Sequence, residues 1–194
     1  MNASRYLEDG LGIKINQNFA DLIDTEASFT KFSAKQIVLL EGSKAENLYF
    51  ILDGIVRGYY IDEQGNDITK CFCSETDFFC SEGLRTGKAS SYTIECLIAC
   101  KCIKLPYKLI HKILNEDESL KNLFLDYNIQ EISKLEDRAK YLTLMDAEER
   151  YINFCKLHPH IHDRIELKYI ASYIGIRAAS LSRIRKEIKN SSLN

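Results

Sequence analysis

No stretch of the chain approaches the roughly 18 consecutive apolar residues that a membrane-spanning helix needs. The opening residues Met1-Asn2-Ala3-Ser4-Arg5-Tyr6 lack the hydrophobic core of a secretory signal, so a cytoplasmic protein without a membrane partner is expected. Proline occurs twice and glycine nine times, which excludes collagen-like and low-complexity scaffolds. There is no P-loop and no G-x-S-x-G. All four His lie at position 111 or beyond, after the β-prone segments, so a β-barrel enzyme of the cupin type has no strand-borne metal ligands. A non-enzymatic role is the stronger reading. Seven Cys is an odd number, and without a secretory signal they read as reduced thiols rather than a disulfide framework.

What is present is ordinary globular composition, 45% hydrophobic and 28% charged over 194 residues. The formal net charge is -2, and that average alone argues against a nucleic-acid partner. The average hides a split. Residues 164–194 carry seven Lys and Arg against Glu166 and Glu187, a local +5, which leaves −7 for the first 163 residues. A basic C-terminal piece on an acidic body is where a polyanion would bind.

Residues 14–25 have helical spacing through Ile15, Phe19, Leu22 and Ile23. From Phe29 the pattern shortens to β-prone runs: Val38-Leu39-Leu40, Tyr49 to Leu52, Ile55-Val56, Gly58 to Ile61, Cys71-Phe72-Cys73, and Tyr92 to Leu105. Turn signals such as Asp53-Gly54 and Glu63-Gln64-Gly65-Asn66 separate them. Seven or eight short strands without intervening helix fit a closed, antiparallel β-structure.

Residues 107–157 read as helix, with a restart after Leu144-Met145 where Asp146 and Glu149 form a capping pair. One stripe is regular: Leu125, Asn128, Ile132, Leu135, Ala139 and Leu142 follow alternating steps of three and four, the repeat of a coiled-coil seam. A surface helix packed on its own β-domain would also show an apolar stripe, but strict 3-4 spacing favours a helix–helix dimer. Asn128 interrupts the seam, where it can fix register or face a ligand.

The last forty residues carry the sharpest motif. Within Leu167 to Ile184, Ala171 is the small residue at a close helix crossing, and Gly175 supplies a turn four residues later. Ile176, Leu181 and Ile184 anchor a second helix. This is helix-turn-helix grammar. The second helix opens with Ala and Ser, suited to a major groove, and carries Arg183, Arg185, Lys186 and Lys189 for phosphates. Double-stranded DNA is the expected partner.

Taken together, Leu48 to Arg57, Ala147-Glu148-Glu149-Arg150-Tyr151, and Lys168 to Arg185 resemble the Crp/Fnr family of bacterial transcription regulators over about residues 15–190. The resemblance implies an α+β protein: an N-terminal antiparallel, jelly-roll-like β-roll sensor with flanking helices (1–117), a long dimerisation helix (118–144), and a C-terminal helix-turn-helix domain (145–194). The last is of winged-helix type, its wing shortened because the chain ends soon after the second helix. It also implies a homodimer working with RNA polymerase and an effector in the β-roll, unless that roll is only a scaffold.

Family members that bind cyclic AMP hold its ribose with a Gly-Glu pair and its phosphate with an Arg-Ser pair. The matching positions are Ser81-Glu82 and Ser90-Ser91, with Asn128 facing them from the long helix, and Lys88 is the only nearby cation. Without the bidentate Arg, cyclic AMP is not the expected ligand. The two base-reading positions of well-known members are Ala178 and Ala179. Readout is therefore assigned to Arg177, Ser180, Ser182 and Arg183, with Lys168, Arg185, Lys186 and Lys189 on the backbone.

Iron–sulfur members place their ligands ahead of the β-roll, and residues 1–30 contain no Cys, so no cluster is expected. Ile94, Cys96, Ile98, Cys100 and Cys102 alternate as core-facing residues of one strand region would, with Thr93, Glu95 and Lys101 opposite. Thiol redox sensing is the rival role, with Cys80 as its first candidate. His158, His160 and His162 can present three imidazoles to a metal, but only Asp163 is near as a supporting carboxylate, so a solvated loop and no metal are expected.

Overall fold

The computed structural model describes residues 2–191. Two helices, α1 (Ala3–Leu11) and α2 (Gln17–Glu26), precede the strands. The sequence reading has no counterpart for α1. It is held by tertiary contacts, with Leu7 buried and the Ser4 amide and hydroxyl both donating to Asp24, at 2.8 and 3.0 Å.

Eight strands follow: β1 (Ser28–Phe32), β2 (Ile37–Leu39), β3 (Asn47–Asp53), β4 (Val56–Ile61), β5 (Asp67–Cys73), β6 (Phe78–Phe79), β7 (Thr93–Cys96) and β8 (Cys100–Pro106). The single-turn helix α3 (Gly83–Thr86) sits between β6 and β7. The strands pair antiparallel in two four-stranded sheets, ordered β1-β8-β3-β6 and β2-β7-β4-β5. Between them lie Ile51, Val56, Phe79, Tyr92 and Ile94 with Cys96, Cys100 and Cys102, so these thiols fill core space as small apolar residues.

The expected continuous run from Tyr92 to Leu105 is corrected: residues 97–99 bend, and Ile98 leaves the alternation to pack against the C-terminal helices. Gly54 makes the bend possible. Its φ is +121°, and a Cβ there would stand 2.5 Å from Cys100 Sγ and 2.8 Å from the Ala99 carbonyl.

The helical half comprises α4 (Tyr107–Glu116), α5 (Glu118–Leu144), α6 (Ala147–Leu157), α7 (Leu167–Tyr173) and α8 (Ala178–Ser191). A break at Asp117, whose side chain caps α5 by accepting from the Leu120 amide at 2.9 Å, divides the expected long helix. The Asp146–Glu149 capping box is formed in both directions, at 2.9 and 3.0 Å. Helix α8 runs to the last described residue, so the wing expected after it lies outside the described residues.

The C-terminal helices dock directly on the β-roll. Phe72 of β5 enters their core beside Phe154 and Tyr173. Arg164 clasps Glu75 through two bonds of 2.9 and 2.6 Å, and Ser172 Oγ accepts from the Thr69 amide while donating to the Asp67 carbonyl. From α5, Arg138 donates to the carbonyls of Thr69, Lys70 and Tyr173 at 3.0–3.1 Å, tying three elements together.

Candidate nucleic-acid interface and effector pocket

Ala171 is buried where α7 meets α8, and Gly175 turns the chain with φ +72°. The Ile176 amide closes the turn on the Ala171 carbonyl at 2.9 Å, and Arg150 caps it by donating to the Ile174 carbonyl at 2.8 Å. Leu181 and Ile184 are buried and seat α8 on α7. The opposite face is open: Arg177, Ala178, Ala179, Ser182, Arg183, Lys186 and Lys189 are exposed, and Ser180 is half-buried.

Small side chains at the helix start leave room for close approach to base edges, and cations further along reach phosphates. Two assigned residues are partly engaged. Arg185 lies 3.8 Å from Asp163, and Lys168 bonds Glu166 at 3.0 Å, a carboxylate that also takes Lys35 at 2.6 Å. Hydrogen bonds from these two lysines hold Glu166 down at about 2.

Of the five effector-pocket residues, the structure joins Glu82 and Ser91, whose amide donates to the carboxylate at 2.8 Å. Ser90 is buried and turned to the Tyr92 carbonyl, at 2.7 Å. Ser81 is buried with an unpartnered hydroxyl, beside a cavity of about 120 Å³ that the other four do not line. Asn128 donates to the Phe124 carbonyl within its own helix.

The interior is occupied instead by Tyr92, buried, with its hydroxyl donating to the Cys80 carbonyl at 2.6 Å. Lys70 lies 3.8 Å over that ring. This corrects the expectation that Lys88 is the sole nearby cation. Lys70 comes to Tyr92 only through strand pairing across the sheet, which no local sequence pattern shows.

On α5, Phe124, Tyr127, Glu131, Arg138 and Tyr141 turn inward and are half-buried. The Phe78 amide donates to Tyr127 Oη at 3.4 Å. The other side carries Leu125, Ile132, Leu135 and Leu142, 48, 56, 50 and 39% exposed, with Ala139 exposed between them. Ile129, off the strict repeat and absent from the sequence reading, joins this stripe at 60%.

Burial pushes the Cys80 thiol up to about 11, which removes the thiolate that redox chemistry would use. A hydrogen bond between Cys71 and Cys73 lowers the first thiol to about 7 and raises the second.

The solvated-loop expectation holds poorly at His158. Its ring packs at 4.8 Å on Phe154 and 5.8 Å on Tyr173. Burial, with a smaller push from Lys134, brings its pKa down to about 4. Among the described residues no cluster of three or more metal-ligating side chains is found.

An acid-sensitive stability follows. Below pH 6.5 the unfolded chain takes up a proton that the folded ring refuses until about 4, so stability falls across that window. The full loss is about 3 kcal/mol. His158→Phe should flatten the decline in urea melts between pH 7 and 4.5. Glu75, held at about 2 mainly by Arg164, adds its loss only below its ordinary 4.5. A variant as acid-sensitive as the parent would show that the ring is not kept neutral.

Comparison with known proteins adds the following. The family described as cyclic nucleotide-binding domain matches residues 29–117. The cAMP-activated global transcriptional regulator CRP of Salmonella typhimurium is 22% identical over 174 residues, 84% of this chain and 83% of that protein. FixK2 from Bradyrhizobium japonicum superposes with a TM-score of 0.77 at 19% identity, covering 86% of each chain. A putative Crp/Fnr-family regulator from Eubacterium rectale gives 0.72 at 16% identity, covering 91% of this chain and 85% of its own.

Proposed function

We propose that this chain, a member of the Crp/Fnr family of transcription regulators, acts as a sequence-specific DNA-binding homodimer controlled from its β-roll. The observation that carries this reading is one arrangement: an exposed basic α8 on one side of the molecule and an exposed apolar stripe along α5. Two copies joined at the stripe would present two recognition helices to half-sites about one DNA turn apart. An effector or thiol event in the roll would shift α5 and so the spacing between those helices. RNA polymerase is the further partner the reading implies.

The CRP relative is by name cAMP-activated. For this chain we assign no cyclic AMP, since Ser90 stands where a phosphate-pairing Arg would be and Tyr92 fills the adjacent space. The filled interior also favours a second reading in which the roll is a scaffold. The Cys71–Cys73 pair, two thiols hydrogen-bonded to each other, is the better candidate for redox control than Cys80, whose thiol burial pushes up.

The test is a gel shift on a native site selected from genomic fragments. Arg183→Ala should abolish sequence-specific binding, whereas Lys189→Ala should weaken all duplexes alike and reduce the salt slope by about one. If both variants bind as the parent does, α8 is not the reader. Calorimetry of the same preparation with cyclic AMP should show no micromolar site, and finding one would overturn that assignment.

A further inference from the structure

Strand β5 lies at the edge of its sheet, and much of the docking of the C-terminal helices rests on it. Ser172 bonds the Thr69 amide and the Asp67 carbonyl, and Arg138 donates to the carbonyls of Thr69 and Lys70. Phe72 points out of the sheet into the helices, its ring centroid 5.9 Å from that of Phe154 and 5.3 Å from that of Tyr173. Its neighbours in sequence, Cys71 and Cys73, take the other face of the strand. Cys73 packs against the core between the sheets. Cys71 stands opposite Gly58, where a Cβ would lie 3.0 Å from its sulfur.

Both cysteines are free thiols, half-buried, and both line a cavity of about 330 Å³ that opens beside α5. The Cys73 thiol donates a hydrogen bond to Cys71 and, with Lys70 and Arg138 nearby, favours the Cys71 thiolate against its burial. The pair is thus a nucleophile with a second thiol already in contact. The strand also has play at this point. Gly58 of β4 pairs with Cys71 but Tyr59 pairs with Thr69, so Lys70 is an extra, bulged residue. Two residues apart on a strand, the Cα atoms of Cys71 and Cys73 are about 6.6 Å distant. That is near the upper limit for a disulfide, whose preferred span is about 5.5–6 Å.

We propose that Cys71 and Cys73 close to a disulfide by exchange with a low-molecular-weight disulfide, and that closure loosens the helix-turn-helix unit from the roll through Phe72. The Cys71 thiolate attacks one sulfur of the small disulfide, whose S–S bond breaks and releases one thiolate. Cys73, giving up its proton, then attacks Cys71 Sγ and expels the second. Two protein thiols are oxidised, one small disulfide is reduced to two thiols, and the two protons end on the leaving groups. Drawing the two Cα atoms together sharpens the pleat at Phe72, which lies between them. Its ring then cannot keep its place beside Phe154, Tyr173 and His158, because packed cores rearrange rather than deform smoothly. The switch deepens the reading of thiol control, and its consequence for DNA rests on that reading, but the bond and the loosening do not.

The test is oxidation of the full chain with excess glutathione disulfide, then alkylation, trypsin digestion and mass spectrometry. Cleavage after Lys70 and Arg85 gives one peptide, residues 71–85, that holds Cys71, Cys73 and Cys80. It should lack two hydrogens and carry its one alkyl group on Cys80. In hydrogen exchange, the α7 amides of the oxidised chain should exchange about tenfold faster than those of the reduced chain, with β3 unchanged. Dithiothreitol should reverse both changes. Cys73→Ser should stop at a mixed disulfide on Cys71, and Cys80→Ser should close as the parent does. A bond that takes Cys80 instead, no bond at all, or a closed pair with α7 still protected would each overturn the proposal. In gel shifts, oxidation should weaken DNA binding about tenfold in the parent and not in Cys71→Ser. A loss that Cys71→Ser shares would keep thiol control but move it off this pair. A closed pair and a loosened α7 with DNA binding unchanged would refute thiol control and leave the bond standing.

Discussion

Replacing both Ile132 and Leu135 by aspartate is expected to yield a monomer that keeps its β-roll and loses most of its DNA affinity. Helix α5 has no buried residue over its 27 positions, although its outer side is lined by large apolar side chains. Such a stripe is unfavourable in water and reads as an interface awaiting its partner. Fully burying Ile132 and Leu135 on each of two copies is worth about 1.5–3 kcal/mol per side chain, enough with Leu125, Ile129 and Leu142 to hold a micromolar dimer. The double substitution places four like charges in the seam.

Each monomer would then hold its half-site alone, forfeiting an avidity of roughly 10²–10⁴. Light scattering reads the mass, circular dichroism the retained strands, and a gel shift the affinity. A double variant that stays dimeric, or a parent that is monomeric at high concentration, would return α5 to the role of a surface helix.

Features set by neighbouring residues were the legible ones. The capping pair at Asp146 and Glu149, the Ala171–Gly175–Leu181–Ile184 anchors and the 3-4 stripe each need only the local chain to be recognised, and the structure forms the local geometry each implies. The reading failed where distant segments decide. Helix α1 exists through Asp24, and Ile98 turns away because the chain bends at residues 97–99 after β7. His158 is neutral because Phe154 and Tyr173 close on it. Lys70 reaches Tyr92 only across paired strands. The effector pocket was the least legible part, because a family position says which residue stands there and not which rotamer fills the space. Glu82 and Ser91 meet, while Asn128 bonds its own helix.

Arg57, which the sequence reading placed in a β-roll motif without a role, is expected to carry the largest single stability effect. Its side chain is 3% exposed, and its Nε donates to Glu95 at 3.0 Å while its other nitrogens reach Asp67 and Thr69. The guanidinium carbon stands 4.2 Å from the Tyr59 ring centroid and 4.1 Å from that of Tyr169, so one cation is held between the roll and α7. A buried pair of this kind contributes little net stability over an apolar replacement of both partners, yet removing one partner strands the other. Arg57→Met keeps the volume and leaves the Glu95 carboxylate, 12% exposed, without its cation. The expected loss is about 3–5 kcal/mol in urea melts.

Two further readings separate this from a simple packing defect. Adding Glu95→Gln to Arg57→Met should recover part of the loss, because the stranded charge is gone, giving a coupling of about 0.5–3 kcal/mol in a double-mutant cycle. The amides of α7 should also exchange faster in Arg57→Met than those of β3, because Tyr169 loses the contact through which the helix is held to the roll. Strictly additive losses, with α7 protected as before, would mean that Arg57 supports the sheet alone and that docking rests on Arg138 and Arg164.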